Sequence, residues 1–489
     1  MAIEDIILTA YLITLSILFF YGMHGFFLVY LYNKFGNVKF EPKGKFEELP
    51  KVCIQLPTYN EALVVDRLIE AVCKMNYPKE KMEIQVLDDS TDETQEVLKK
   101  IVEEKKKEGF NIIYHHRDNR IGYKAGALKE GLEMTDAEYV AIFDADFIPN
   151  PEFLNRTIHY FTDPKVGMVQ TRWEHLNDEY SLLTRAQALA LDGHFVMEQQ
   201  VRNKAGFFIN FNGTAGIWRK ACIIDAGNWQ PDTLTEDLDL SYRAQLRGWK
   251  FIFINDFTSP SELPIEINAL KNQQFRWTKG AIETAKKILP LVWKSSIPLK
   301  LKLYSTFHLT MNIVFPLIVI AGLLAVPLVY VKNTGNYDEY FAFMSIFTLA
   351  FISSFLMYMY SQKDIYPDWK RRIYLFPVFM AGSMGFALNN TKAVIEGLLN
   401  KKSEFVRTPK FRIETDKDNP HPKKKKYAVT KISPMIILEL VFALWALFGI
   451  GLAAYYTEIA AIPFLSMYFL GYGVIAVMSI KHALDSKYE

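Results

Sequence analysis

Two carboxylates two residues apart, Asp144 and Asp146 of "FDADF", follow the apolar run "YVAIF". Side chains at i and i+2 of a strand share a face, so both can converge on one hard cation. Mg²⁺ or Mn²⁺ held by one or two carboxylates takes its remaining ligands from water and substrate phosphates. The competing reading is a solvated acidic turn, helped by Pro149 and Pro151. A second acidic pair, Asp88 and Asp89, ends the run "MEIQVLDDS". Ser90 or Thr91 followed by Asp92 and Glu93 reads as helix N-capping. That leaves Asp88 and Asp89 on the strand, where a nucleotide base or ribose can bind. In "GYKAGAL", Lys124 near a helix start suits a phosphate, against the alternative of a lone solvated lysine.

A third acidic cluster opens "TLTEDLDLSYRAQLRGWK". It reads as a helix capped by Thr235 and closed near Gly248, with apolar positions Leu238, Tyr242 and Leu246. Glu236, Asp237 and Asp239 suit the positive end of the helix dipole. One of them also suits a general base that deprotonates a hydroxyl, and spacing alone leaves both readings open. Then "NQQFRWTKG" sets Gln273, Arg276 and Trp277 just before the chain turns apolar. An interfacial amphipathic helix explains Trp and Arg there. A binding site gives Trp277 a sugar ring to stack on, Arg276 phosphate oxygens and Gln273 hydroxyls.

The elements that would hold these groups alternate. "KVCIQLPTYNE" is a short β-rich run, and "ALVVDRLIEAVCKM" has helical spacing. "MEIQVLDDS", the helix "DETQEVLKKIVEEKKKEG", "FNIIYHH", the helix "YKAGALKEGLEMT" and "EYVAIFDAD" follow. Such a series predicts an α/β domain with a mostly parallel, doubly wound sheet, whose ligands bind at the carboxyl ends of the strands. Three of those ends carry polar clusters: "PTYNE", "DDS" and "DAD".

Half of the 489 residues are hydrophobic and 14% are aromatic. A net charge of +2 gives no reason to expect nucleic acid as a partner, and no protein partner is legible. Cys53, Cys73 and Cys222 show no paired spacing, which suits a reducing compartment. Spans of about 20 apolar residues are expected at Ile6–Tyr30, Thr306–Val331, Phe341–Tyr360, Pro434–Tyr456 and Ile459–Ile480. The segment Ile373–Leu399 is flanked by Lys363, Lys370, Arg371 and Arg372 on one side and by eleven Lys and Arg between Lys401 and Lys431 on the other. Both basic loops are cytosolic only if that segment lies in the interface or re-enters. The expectation is five spans, an external N-terminus and a cytosolic C-terminus in a prokaryotic plasma membrane. In domains, 1–32 is a membrane helix, 33–265 a cytosolic catalytic domain and 266–303 interfacial helices. Residues 304–361 and 434–480 each hold two spans, 362–433 the interfacial helix and a loop, and 481–489 a tail.

In this order, "PTYNE", "DDS", "DAD", "TED" and "QQFRW" resemble the family-2 glycosyltransferases, over roughly residues 50–430. The likeness is to the membrane-embedded cellulose synthase-like branch, which includes bacterial cellulose synthases and plant mannan synthases. The resemblance implies a GT-A-type, Rossmann-like nucleotide-sugar domain inserted between membrane helices. Asp88 and Asp89, with Pro57, Tyr59 and Glu61 of the "PTYNE" loop, would hold the nucleoside. Lys124 and Asp144 would add to that donor site, and Asp144 and Asp146 would ligate Mg²⁺ or Mn²⁺ on the diphosphate. Asp237 would be the base, with Glu236 and Arg276 completing the catalytic set. Gln273, Arg276 and Trp277 would cradle the acceptor, joined by Asn212, Gly213 and Thr214 of "FNGTAG".

The stretch "FVRTPK" resembles the gating loop of cellulose synthases, F-x-V-T-x-K, with Phe405, Thr408 and Lys410 retained and Arg407 in place of Val. The following "HPKKKK" reads as a lipid-facing polybasic run. The implied activity is inverting transfer from UDP-glucose or GDP-mannose to a growing β-glycan, exported as it forms. Two alternatives stand beside it: a single transfer to a lipid such as ceramide or diacylglycerol, and a transporter or scaffold with a degenerate nucleotide domain. "FNGTAG" and "QQFRW" lean toward mannan or glucomannan.

Overall fold

The computed structural model describes residues 3–403, 406–415, 417–418 and 433–488. Seven strands form one sheet in the order β3-β2-β1-β4-β6-β5-β7. They are β1 Val52–Thr58, β2 Met82–Asp88, β3 Ile112–His116, β4 Tyr139–Ile142, β5 Val166–His175, β6 Gly216–Arg219 and β7 Lys250–Ser261. β1, β2 and β4 are buried on both faces; β4 is an unbroken apolar run, while Gln55 of β1 and Glu83 and Gln85 of β2 are buried polar residues within theirs. Val52, Ile54 and Leu56 point into one core, beneath the helices Val65–Cys73 and Thr94–Lys107. Cys53, Val140 and Ile142 point into the other, against the helix Tyr123–Glu133.

The four strands read from sequence are parallel neighbours, as expected. The second half of the sheet was not legible. β5 and β7 pair in parallel, while β6 runs antiparallel between β4 and β5. That reversal matters to the cleft. Gly216 of β6 lies opposite Ile142 at the carboxyl end of β4, so the chain entering β6 must cross the top of β4. "FNGTAG" is that crossing.

Five helical segments are long and apolar enough to cross a membrane: Ile3–Phe35, Leu299–Thr334, Asp338–Ile365, Met435–Tyr455 and Ile459–Leu484. They coincide with the five expected spans. Phe376–Leu398 is one unbroken helix of 23 residues, so this segment does not turn back on itself as a re-entrant loop would. Gly385 brings it against another helix: a Cβ there would fall 2.3 Å from the Gly471 carbonyl. The helix Ile267–Lys294 carries Gln273, Arg276 and Trp277 between the sheet domain and the spans.

Candidate active site

The strand that delivers the first acidic pair ends at Ile142, two residues before Asp144. The side-chain alternation expected of a strand therefore does not apply. Phe147 N–H donates to the Asp144 carbonyl at 3.1 Å, and the chain turns there. Both carboxylates still face one cleft, together with Pro57, Tyr59 and Glu61 from the end of β1. Each is met by a lysine: Asp144 by Lys124, and Asp146 by Lys410 at 2.6 Å. Lys124 also donates to the Gly213 carbonyl at 2.9 Å, tying the crossing loop to the same point. Burial draws the Lys124 ammonium down, but Asp144 and Glu236 outweigh it and leave it above its usual range. Burial raises the Asp144 carboxyl, with Lys124 opposing.

The Glu236–Leu246 helix settles which of its three acids faces the cleft. Asp239 is fully buried and spent on Arg243 at 2.6 Å and Lys287 at 3.0 Å. Glu236 and Asp237 line the cleft. Burial and then the neighbouring Glu236 charge push Asp237 up to about 7, against Lys124 and Arg276. Glu236 is also raised, chiefly by burial. Thr235 precedes the helix, but its hydroxyl bonds Thr284 at 3.0 Å instead of capping.

Two glycines set the closeness of these parts. At Gly213, with φ +82°, a Cβ would sit 3.0 Å from Asp237 Oδ2. At Gly280, a Cβ would sit 2.6 Å from the Thr235 side chain and 2.9 Å from its backbone nitrogen. Gly280 thus lets the helix Ile267–Lys294 lie directly on the start of the Glu236–Leu246 helix. Gln273, Arg276 and Trp277 come into the cleft as a result. Burial draws the Arg276 guanidinium down, while Glu236, Asp144, Asp237 and Asp146 all pull the other way. One cation therefore faces both acidic clusters.

Some expected site residues lie elsewhere. Asp88 is fully buried and engaged with Tyr114 Oη at 2.7 Å, His116 Nδ1 at 3.0 Å and Ser90 N–H at 2.9 Å. It does not line the cleft. Asp89 does, with both oxygens held by Arg117 at 2.7 and 2.6 Å. Ser90 and Thr91 do not cap the following helix; they bond Asn60, and Asp92 accepts from Thr94 N–H instead. Thr214 is buried, its hydroxyl accepting from Asp144 N–H at 2.9 Å. It positions the acidic loop and is not among the lining residues, while Asn212 and Gly213 are. Phe405 and the "HPKKKK" run fall outside the described residues.

Sequence reasoning missed Arg120, whose guanidinium stacks 3.4 Å over the Tyr59 ring at the cleft. The pair "RDNR" ahead of "GYK" was the available signal. It also passed over Glu262. Its carboxylate accepts from Phe411 N–H at 2.7 Å, Arg412 N–H at 3.2 Å and Arg67 at 2.7 Å. With Phe411 and Ile413 in the core, Glu262 fixes the segment after Lys410, and both Glu262 and Lys410 line the cleft. Arg407 reaches Glu61 at 3.6 Å from the other side. Glu61 is pushed up to about 7 by burial, against Arg407. The cleft offers about 180 Å³, below the roughly 300 Å³ of an ordinary small-molecule pocket. Arg407, Thr408 and Lys410 line it.

A metal can be tested against this geometry. Among the described residues, no three His, Cys, Asp or Glu side chains form a cluster able to hold a metal. The donor set is two hard carboxylate oxygens whose cation positions are already taken by ammonium groups. That fits Mg²⁺ or Mn²⁺ completed by diphosphate and water.

The family model "Glycosyltransferase like family 2" matches residues 50–280. Glucomannan 4-beta-mannosyltransferase 7 of Arabidopsis thaliana is 42% identical over 299 residues, 58% of this chain and 54% of that protein. Glucomannan 4-beta-mannosyltransferase 1 of Cyamopsis tetragonoloba is 38% identical over 385 residues, 75% of this chain and 69% of the relative. The chain thus spans about half the length of the first relative. Among solved structures, mannosyltransferase PcManGT from Pyrobaculum calidifontis, in complex with GDP-Man and Mn²⁺, superposes with a TM-score of 0.58 at 16% identity. The match covers 81% of this chain and all of that one, and it shows a shared fold. Because the Cyamopsis tetragonoloba relative is 38% identical and aligned over 69% of its own length, the chain belongs to the family-2 glycosyltransferases, in their cellulose synthase-like branch.

Proposed function

We propose that this protein transfers mannosyl units from GDP-mannose to a growing β-1,4-linked glycan, with inversion, at the membrane surface. The observation that carries the reading is the meeting of Asp237, Arg276 and the Asp144–Asp146 pair in one cleft. The sugar rests on the relatives' names; UDP-glucose is the alternative donor.

In this reading the acceptor hydroxyl loses its proton to Asp237 as its oxygen attacks the anomeric carbon. The bond from that carbon to the diphosphate breaks, and the nucleoside diphosphate leaves with the electron pair. A carboxylate poised near 7 suits a base working at neutral pH. Arg276 and Lys124 face the departing phosphates as fixed positive charge. A bound Mg²⁺ or Mn²⁺, held by Asp144 and Asp146, would supply further neutralisation of that charge. Tyr59, with Arg120 stacked on it, offers a platform for the base, and Trp277 one for the acceptor sugar. One displacement from an α-linked donor gives a β linkage.

We place the catalytic domain on the cytosolic face of a prokaryotic plasma membrane, with the basic loops around the Phe376–Leu398 helix on the same side. The three cysteines are free thiols, which suits a reducing compartment. Product leaving between the spans would couple synthesis to export.

The direct test is a panel of nucleotide sugars offered to the purified protein in lipid with Mn²⁺ or Mg²⁺. Label should enter product from GDP-mannose and stop on adding a chelator. Incorporation from no donor would sink the proposal, and UDP-glucose as sole donor would correct the sugar. Arg407→Val removes the Glu61 contact while keeping a residue of the cellulose synthase pattern. Losing one charge-assisted contact should raise the donor KM roughly tenfold, with the acceptor KM unmoved. An unchanged donor KM would show that Arg407 has no part in holding the donor.

A further inference from the structure

Asn212 lines the cleft beside Gly213 and Asp237, and its orientation can be derived from the backbone outward. Gln170 Oε1 accepts from the Asn212 backbone N–H at 3.0 Å. The Gln170 amide nitrogen must therefore be the group 3.0 Å from the Asn212 side chain, which makes that atom Oδ1. Gln199 repeats the logic. Its Oε1 accepts from Asn210 N–H at 3.3 Å, and its nitrogen meets Asn212 Oδ1 at 2.5 Å. Asn212 thus turns its Nδ2 toward His194 Nε2, at 2.9 Å. An amide nitrogen only donates, so Nε2 carries no proton. His194 Nδ1 is then the protonated nitrogen, and it donates to Glu198 Oε2 at 2.7 Å.

We infer that Glu198 and His194 form a positioning chain for the acceptor site, fixing the Asn212 amide so that its remaining N–H is presented to the incoming sugar. This rests on the acceptor site of the proposed function. His194 is absent from the cleft lining, so it acts through Asn212. The helix turn that carries the chain supports this. Gly193–Gln200 is wound as a π-helix, a rare form that recurs at functional sites. At Gly193 a Cβ would fall 2.4 Å from the Tyr358 ring, so the turn is pressed against a membrane helix. Its His194, Glu198 and Gln199 side chains all belong to the network.

The chain is sensitive to acid by construction. A proton added at Nε2 would set two donors, imidazole and amide, against each other. Asn212 could answer only by turning its Oδ1 away from Gln170 and Gln199. The other charged and titratable groups around the pair are Arg202 on the same stretch and His24 from the first membrane helix. Tyr304 and His308 of Leu299–Thr310 and Tyr358 of Thr348–Ile365 are the others among the described residues.

His194→Gln retains one acceptor and one donor at similar separation but does not titrate; His194→Phe keeps the ring shape and loses both. With a short β-1,4-mannan oligosaccharide as acceptor, H194F should raise the acceptor KM about ten- to hundredfold and leave the donor KM unchanged. H194Q should stay near wild type at neutral pH and lose the rise in acceptor KM that wild type shows on acidification. The fall of kcat on acidification, which belongs to Asp237, should survive in H194Q. The imidazole ¹⁵N spectrum of histidine-labelled protein, assigned by difference from H194Q, should show protonated Nδ1 and bare Nε2. A wild-type acceptor KM in H194F, or a protonated Nε2 at neutral pH, would overturn the inference. The nitrogen spectrum decides the hydrogen-bond chain even if no sugar is transferred. Failure of the proposed function and failure of this chain are therefore separate results.

Discussion

Asp237→Asn is expected to lower sugar transfer by about 10²–10⁴, the usual contribution of a positioned general base, while nucleotide binding survives. The substitution keeps the volume, and the Asn amide oxygen can still accept the Leu238 N–H now taken by Asp237 Oδ1 at 2.8 Å. What it removes is a proton acceptor whose value sits near 7. In wild type, kcat should therefore fall as pH drops through about 7, where the carboxylate becomes protonated. Stability should move the other way. The folded value of about 7 lies above the roughly 3.9 of an unfolded aspartate. Between those two values the unfolded chain has lost its proton and the folded one has not. The folded state thus loses ground as pH rises through that window and regains none above it. Asn carries no such penalty, so the Tm advantage of D237N over wild type should grow from pH 4 to pH 7. A variant that keeps full transfer would remove Asp237 from the mechanism. A Tm difference flat in pH would show that the carboxyl is not held protonated.

Asp146→Asn is the second large effect. The Asp146 partner Lys410 also donates to the Glu262 carbonyl, so it keeps an acceptor in the variant. The fold around it should survive. Loss of one preorganised electrostatic group commonly lowers kcat by about 10²–10³, and D146N should fall in that range. A readout apart from turnover is nucleotide affinity with and without Mn²⁺. Wild type should bind GDP more tightly when Mn²⁺ is present, and D146N should show little of that gain. Equal enhancement in both would place the metal on other residues.

These two variants also mark what the sequence could and could not say. The parallel half of the sheet was legible because β1, β2 and β4 are short β-rich stretches separated by segments of helical spacing. The five apolar segments were legible from their length and composition. β5, β6 and β7 were not. β5 and β7 are long, bulged and mixed in burial, and β6 spans four residues. The antiparallel return of β6 leaves no periodic signature, yet it carries Asn212 and Gly213 over Asp144. Among the acids, type and spacing found the clusters but not the assignments within them. Asp88 and Asp89 look equivalent in the chain. Tyr114 and His116 close over the first, and Arg117 clamps the second. Asp237 and Asp239 look equivalent too, until Arg243 and Lys287 take the latter. Such choices depend on residues distant in sequence, which no local pattern records. Glu262 clamping the segment at Phe411 lies in the same category.

The central claim is a polymer made at this cleft, and product analysis tests it most directly. Protein in lipid is supplied with labelled GDP-mannose and Mn²⁺, and the product is sized and then digested with a β-1,4-mannan hydrolase. The account predicts a long, water-soluble or insoluble chain that the hydrolase reduces to short oligosaccharides, and none of it from D237N. A short product that partitions into organic solvent and resists the hydrolase would contradict it and move the enzyme to single transfer onto lipid.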